Sequence, residues 1–310
     1  MTHANATVTT AKRPGRWSSY RVFDSSLPYL LVAPTLITLA VLVVYPIGYV
    51  IYISLHNNYW IVREPEFVRL ENYQWLVEQK IFTTILKNTL LFTGASVVFH
   101  LLVGLGLAML LSSEVINPRM RNIFRGILIV PWLFTTVVVA TVWRLMLYPG
   151  GVVNGILAQL GLMDMAQPLN WLGEPDLALP AVILINVWAG YPFSLLMMLA
   201  ALLSVPQSLY EAADVDGANG VQKFFRITIP MIKPVIASVA LLDAIWSFRL
   251  FDLVFLTTGG GPLNATHVLA TYTYRLSFES FEFGRASALS VMLLLFTMLL
   301  TIFYFRNQKV

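Results

Sequence analysis

Four residues of one apolar run have types and a spacing that could bind a solute: Asp243, Trp246, Ser247 and Leu250. Their i, i+3, i+4, i+7 spacing places all four on one face of a helix. A carboxylate and a hydroxyl form hydrogen bonds with ligand hydroxyl groups, and an indole offers a flat apolar surface. The stripe therefore fits a polyhydroxylated solute. It is also typical of a helix-packing seam with one hydrogen-bonded Asp, and the pattern alone leaves both interpretations open.

A second candidate group lies in the preceding apolar run. Asn186, Gly190, Phe193 and Met197 share one helical face. Pro192 lies within this group, and because proline has no backbone N–H, it is expected to kink the helix. Kinked spans near the middle of a membrane are where many transporters bind solute.

Other polar groups give little support for catalysis. His100 is the single histidine of its apolar run and is expected to form a structural hydrogen bond, and Arg249 is expected to pair with Asp252. The sequence has no cysteine and no His-Glu-x-x-His, Gly-x-Ser-x-Gly or phosphate-loop motif. We therefore expect no metal site, no cofactor bound by this chain and no enzymatic activity of its own.

The composition indicates a membrane protein. Of 310 residues, 57% are hydrophobic and 12% are charged, with a mean hydropathy of +0.72. Soluble domains carry about 25% charged residues. The net charge of +4 is explained below by membrane orientation, so no nucleic-acid partner is expected. The protein is expected to be surrounded by membrane lipid.

Six apolar runs are long enough to cross a membrane as helices, and they predict an all-α membrane protein. They cover about 27–54, 88–112, 126–147, 177–204, 235–256 and 286–305. Together they define a six-helix transmembrane domain over 27–305. The polar, basic segment 1–26 is expected to be a disordered tail, and 306–310 a short second tail.

The basic residues predict the orientation, because Lys and Arg concentrate on the cytoplasmic side of membrane proteins. With the N-terminus inside, the cytoplasmic segments hold Lys12, Arg13, Arg16, Arg21, Arg119, Arg121, Arg125, Lys223, Arg226, Lys233, Arg306 and Lys309. The external segments hold only Arg63, Arg69, Lys80 and Arg275. Both termini and the segment 205–234 are therefore predicted to be cytoplasmic.

The segment 205–234 has a pattern that is unusual for a linker. A helix-favouring Glu-Ala-Ala at 211–213 is followed by Gly217, which is expected to end the helix, and by an amphipathic stretch that ends at Pro230. Two short helices between two membrane spans are suited to binding by a partner protein.

This segment resembles the signature loop of binding-protein-dependent ABC importer permeases. The resemblance rests on Glu211-Ala212-Ala213, three residues, Gly217, nine residues and Ile227-Thr228-Ile229-Pro230, with Ile229 where the family has Leu. Other stretches are similar to the carbohydrate-uptake, maltose-permease-like branch: Phe67–Tyr73, with Arg69 where Gly is common, Asn186–Pro192, Asp216–Ala218 and Thr257–Thr266. The resemblance covers residues 27–305.

The resemblance implies the type I ABC importer permease fold and a function. Such a chain works with a second, homologous permease subunit, with two ATP-binding cassette ATPase subunits that bind ATP and Mg, and with an extracytoplasmic solute-binding protein. The expected substrate is a mono- or oligosaccharide, imported across the bacterial or archaeal cytoplasmic membrane. A polyol, a glycerol phosphate ester or a charged sugar derivative is the alternative within transport. A non-transport scaffold or membrane enzyme is the alternative outside it.

The resemblance also implies which residues act. ATPase coupling falls on Glu211, Ala212, Ala213, Asp216, Gly217, Phe224, Phe225, Ile227 and Pro230. Phe224, Phe225 and Ile227 are expected to anchor the loop against the span ends. Solute contact falls on Ala189, Gly190, Phe193, Asp243, Trp246, Ser247 and Leu250, with Asn186 beside them. Asp243 and Leu250 stand where the family has polar Ser and Asn, which predicts a changed sugar.

Overall fold

The computed structural model describes residues 18–57, 65–113 and 116–307. Two compact units divide the chain, Met1–Tyr52 and Ile53–Val310. The described residues as a whole contain five continuous helices that are long and apolar enough to cross a membrane, or six such spans if one bent pair forms a single span. The predicted all-α membrane architecture is confirmed. Within the described residues, the β structure is limited to an isolated bridge between His56 and Phe67.

The first unit is built from one long apolar helix. Helix α1 (Ser18–Leu39) continues through a π-helical turn (Ala40–Val44) into α2 (Tyr45–Ser54). The expected disordered tail, 1–26, needs a correction, because residues 18–26 are helical and 1–17 lie outside the described residues. Helix growth costs little once a first turn exists, so the apolar helix extends backward to Ser18.

The remaining helices follow in chain order. They are α3 (Glu71–Glu78), α4 (Lys80–Ser112), α5 (Pro118–Leu133), α6 (Thr136–Met146), α7 (Val152–Gln159), α8 (Pro175–Leu203), α9 (Gln207–Val215), α10 (Gly220–Lys223), α11 (Ile229–Phe248), α12 (Asp252–Thr258), α13 (Leu269–Tyr274) and α14 (Phe283–Asn307). Two π-helical turns, Phe224–Thr228 and Arg275–Glu279, follow α10 and α13. The predicted tail 306–310 therefore begins inside α14.

The third span differs from the prediction of one helix over 126–147. It is broken between α5 and α6, whose axes differ by 96°. Phe134 and Thr135 at the break are extended, with ψ of 142° and 151°. Pro131 lies one turn before the break and cannot donate a backbone hydrogen bond, which weakens the end of α5. The apolar composition continues across the break and so gave no sign of it.

The fifth span is displaced from the predicted 235–256 and runs over Gly220–Phe248. The helix begins earlier, at Gly220, where Asn219 caps it through a reciprocal pair of hydrogen bonds with Gln222. After the helix ends at Phe248, Asp252 occupies the first turn of α12, where the helix dipole favours a negative charge. The expected Arg249–Asp252 pair is not among the ion pairs of the described residues.

The core of the second unit is centred on α4 and α8, which form its most extensive helix pair. Gly104 of α4 lies so close to α8 that an added Cβ would be 2.7 Å from the Cβ of Ser194. Leu195 and Met198 of α8 and Val239 of α11 are fully buried beside this contact. The small side of α4 thus lets α8 and α11 pack against it and brings their polar residues together.

Candidate functional site

A buried polar cluster lies where α4, α8 and α11 meet, and we call it the polar crossing. It consists of Ser96, His100, Asn186, Asp243 and Ser247. His100 and Asp243 are only 3% and 6% exposed. Nδ1 of His100 lies 2.8 Å from Oδ2 of Asp243, and the Ser247 hydroxyl donates to Oδ1 of the same carboxyl group at 3.3 Å. The expected structural hydrogen bond of His100 is confirmed, and its side-chain partner is Asp243.

The second ring nitrogen of His100 connects the crossing to α8. Nε2 lies 3.0 Å from the backbone carbonyl oxygen of Asn186. The amide of Asn186 donates to the Ser96 hydroxyl of α4 at 2.9 Å. Three helices are therefore joined by hydrogen bonds through two side chains, His100 and Asn186.

Gly190 makes room for this arrangement. A Cβ at Gly190 would collide with the His100 ring, at Nε2 and Cε1. Because the close approach leaves no space for a side chain, glycine is required here for steric reasons rather than for an unusual backbone angle.

Aromatic side chains form the next layer. Phe193 of α8 packs edge-on against Trp246 of α11, with 5.0 Å between ring centroids, and Trp132 of α5 lies 6.3 Å from Phe193. Trp132 and Trp246 are 50% and 43% exposed. Phe193 and Trp246 both belong to the predicted solute set, whereas Trp132 does not, because the resemblance placed solute contacts only in the fourth and fifth spans.

A cavity of about 290 Å³ opens at the break between α5 and α6. Its walls include Asn186, Ala189, Gly190 and Leu250 of the predicted solute set, together with Trp132 and Thr136 beside the break. The other four predicted residues, Phe193, Asp243, Trp246 and Ser247, are not part of its lining. Asp243 and Ser247 are instead buried in the polar crossing.

The 205–234 segment forms two helical pieces around a tight turn. Helix α9 is followed by Gly217 with φ of +75°, a conformation that glycine adopts readily. Asn219 then caps α10 through a reciprocal pair of hydrogen bonds with Gln222. An ion pair between Lys223 and Asp214 and a 2.9 Å hydroxyl contact between Tyr210 and Thr228 join the two pieces.

The 205–234 segment exposes several large apolar side chains. Val215, Val221 and Phe225 are 90%, 67% and 64% exposed. The expectation that Phe225 packs against the span ends is wrong within this chain. Phe224 is half-buried beside it, and because adjacent helical positions are about 100° apart, both rings cannot face inward.

The segment after α12 is held by buried polar contacts. Asn88 of α4 donates to the carbonyl oxygens of Ala265 and His267, at 2.9 and 3.1 Å. His267 is itself buried and lies 3.1 Å from the Thr271 hydroxyl. Burial, and then the positive charge of Arg275, lower the pKa of His267 to about 4.

Comparison with known proteins identifies the chain. Residues 100–309 match the family described as binding-protein-dependent transport system inner membrane component. The trehalose/maltose transport permease MalF of Thermococcus litoralis is 33% identical, over 93% of this chain and 96% of the relative. The sulfoquinovosyl glycerol permease SmoG of Agrobacterium fabrum is 35% identical, over 95% and 94%.

A solved structure agrees with these relatives. A chain of a bacterial ABC transporter involved in importing the acidic polysaccharide alginate matches with a TM-score of 0.78 at 26% identity, over 94% of this chain and 99% of that one. The protein is thus a multi-pass transport subunit of the cytoplasmic membrane. It belongs to the family of binding-protein-dependent transport system inner membrane components and is a permease subunit of a sugar ABC importer.

Proposed function

We propose that this permease passes a mono- or oligosaccharide, or a sugar-like solute, through the cavity at the broken third span. The observation that carries the proposal is that this cavity adjoins both an aromatic surface and a buried polar cluster. Asn186, Ala189, Gly190 and Leu250 form part of its wall. Trp132 lines the cavity, and together with the adjoining Phe193–Trp246 pair it would provide the flat apolar surface on which sugar rings pack.

The polar crossing supports this site from behind. Asp243 bonds to His100, and Ser247 donates to Asp243, so their proposed contribution to solute binding is to hold Asn186 and Gly190 in place through His100. Broken spans are typical of solute sites in transporters, and the bend between α5 and α6 is proposed to have this role here.

We further propose that the segment 205–234 faces the cytoplasm, as do both termini, and couples the transmembrane domain of residues 27–305 to ATP hydrolysis. Helix α9 would dock in a groove of an ATPase subunit. The proposed coupling residues are Glu211, Ala212, Ala213, Asp216, Gly217, Phe224, Phe225, Ile227 and Pro230. The exposed apolar side chains of Val215, Val221 and Phe225 support a protein-binding role, since such patches mark interaction surfaces.

The proposed assembly contains this chain, a second homologous permease, two ATPases that bind ATP and Mg, and an extracytoplasmic solute-binding protein. Closure of the ATPases on ATP would move α9 and turn the cavity outward, where the binding protein releases solute. A solute can shift this equilibrium only through different affinities for the two states.

One observation also favours an anionic solute, either a glycerol phosphate ester or a charged sugar derivative. The carboxyl group of Asp243 is paired with His100 and lies outside the cavity lining. A fixed negative charge at this position would repel an anion, and the pairing removes that objection. The solved relative imports an acidic polysaccharide, which supports the same candidate.

The proposal is tested by reconstituting the four kinds of subunit in proteoliposomes with ATP on the ATPase side. Labelled maltose and trehalose serve as neutral probes, and glycerol 3-phosphate serves as the anionic probe. We expect ATP-dependent accumulation of one class when the binding protein is present. Failure of the chain to co-purify with a P-loop ATPase would contradict the proposal for every solute.

A further inference from the structure

The two ring nitrogens of His100 have partners of different kinds, and the difference determines where protons must lie. Nε2 faces the carbonyl oxygen of Asn186 at 3.0 Å, and Nδ1 faces a carboxyl oxygen of Asp243 at 2.8 Å. A backbone carbonyl can only accept a hydrogen bond, so Nε2 must carry a hydrogen. The ε nitrogen is thereby fixed as a donor.

The contact with Asp243 needs a second hydrogen. At 2.8 Å, a bare ring nitrogen and a bare carboxylate oxygen would direct two lone pairs at each other. Either Nδ1 is protonated, giving an imidazolium beside a carboxylate, or Asp243 is protonated and donates to a neutral ring. Both arrangements have a net charge of zero.

The alternative tautomer would leave the pair negative, and the surroundings disfavour it. With a hydrogen on Nδ1 alone, the lone pair of Nε2 would face the carbonyl oxygen of Asn186. The cluster would also hold an uncompensated charge, although both side chains are less than a tenth exposed. An unpaired charge in such a place is strongly disfavoured.

We infer that His100 and Asp243 share one proton and form a net-neutral pair that holds Asn186 and Gly190 at the cavity wall. Asp243 is then a positioning residue and His100 determines specificity, since it prevents the carboxyl group from acting as a fixed negative charge. This consequence for the solute rests on the proposed function: neutral and anionic sugars meet no fixed negative charge from Asp243. The shared proton itself does not depend on transport.

The proton count is measured directly by ¹⁵N solid-state NMR of the histidine-labelled, full-length chain in its complex. The His100 signals are assigned by their loss in His100→Leu. We expect Nε2 to be protonated, with Nδ1 either protonated or strongly hydrogen-bonded to an acid. An Nε2 without a hydrogen would overturn the inference.

Substitutions give a second, independent test through the thermal unfolding midpoint. His100→Leu leaves the Asp243 carboxyl group without its main partner and is expected to cause the largest loss. Asp243→Asn should cost less, because the new amide can donate to Nδ1 while Nε2 still donates to Asn186. Adding Asp243→Asn to His100→Leu should recover part of the midpoint, since it removes the buried charge.

A matched control separates the loss of the buried pair from the loss of a carboxyl group in general. Asp164→Asn makes the same change at an exposed carboxyl group and should leave the midpoint as it is. If Asp243→Asn costs as much as His100→Leu and gives no recovery in the double variant, the neutral pair is wrong. His100→Leu that folds should reduce uptake of glycerol 3-phosphate about tenfold more than uptake of maltose, because a bare carboxylate repels an anion.

The shared proton and the proposed function can be contradicted separately. If the NMR signals and the recovery are as expected but no probe is taken up by the wild-type complex, the proposed function is wrong and the shared proton stands. If uptake proceeds and Nε2 has no hydrogen, the shared proton is wrong and the proposed function stands.

Discussion

The polar crossing and the 205–234 segment differ in whether their side chains find partners within the chain. In the crossing, His100, Asn186 and Asp243 have hydrogen-bond partners within the chain, and the two ionisable groups, His100 and Asp243, are buried. In the segment, a side-chain cap, one ion pair and one hydroxyl contact join polar groups, while apolar Val215 and Phe225 remain exposed. The crossing is complete in one chain, and the segment presents a surface that another protein can cover.

This contrast implies different responses to substitution. A change in the crossing should act first on stability, because buried partners lose contacts that nothing else replaces. A change on the segment should act first on uptake, because the affected contacts are made with a partner.

The largest effect is expected from a double change on the segment, Glu211→Arg with Gly217→Val. The first reverses an exposed charge, and the second places a β-branched residue at φ of +75°. We expect uptake to fall to background while the amount of chain in the membrane fraction stays the same. Both quantities are measured on the same vesicles.

A matched control for this double change exists elsewhere in the chain. Gly161 has φ of +73° with open space around it, and Asp164 is exposed nearby. Gly161→Val with Asp164→Arg should therefore affect uptake much less. Equal loss in the two double variants would show that strain, and not coupling, explains the result.

A smaller but distinct effect is expected in the crossing from Gly190→Ala. The added methyl collides with the His100 ring, and overpacking of this kind costs about 1–3 kcal/mol. We expect a lowered thermal midpoint of the purified complex. Gly106→Ala on α4 meets nothing within 4 Å and is the control, so an equal drop in that variant would contradict the steric account.

The next effect is expected at the aromatic surface, where a substitution should change solute uptake. Trp246→Ala removes the partner of Phe193, and loss of one stacking surface should weaken apparent solute affinity about tenfold. The concentration dependence of uptake measures this, with Tyr148→Ala as an exposed aromatic control. Unchanged uptake kinetics would remove Trp246 from the solute site.

The smallest effect is expected from pH, through His267. Its pKa is lowered to about 4 from the usual 6.5, so the folded chain keeps this ring neutral. The stability that it contributes is complete above pH 6.5 and is lost as the pH falls from 6.5 towards 4. The midpoint of the wild type should therefore fall more between pH 7.5 and pH 5 than that of His267→Gln. Parallel curves would contradict this.

Much of the architecture could be predicted because it depends on composition. Apolar length alone indicated six spans, and Gly217 marked the end of α9 through its backbone freedom. The break at Phe134 and Thr135 could not be predicted in this way, because both flanking segments are apolar. Pro131 was its only local signal.

The polar crossing was predicted in part. Two isolated ionisable residues, His100 and Asp243, were visible in separate spans, and buried ionisable groups pair with one another. Their contact depends on the close approach of α4, α8 and α11, which Gly104 and Gly190 permit. The residue pattern of a single helix carries no information about this approach. Arg249 and Asp252 show the converse, since their short spacing suggested a pair that the end of α11 at Phe248 prevents.

We propose that the aromatic surface beside the polar crossing binds the solute and that the 205–234 segment binds the ATPase. The most direct measurement is solute accumulated and ATP hydrolysed, together, in proteoliposomes containing the complete complex. We predict that Trp246→Ala hydrolyses ATP in response to the binding protein but accumulates less solute, and that the Glu211→Arg, Gly217→Val variant loses that response. The opposite pattern, with the response lost in Trp246→Ala and kept in the double variant, would contradict the account.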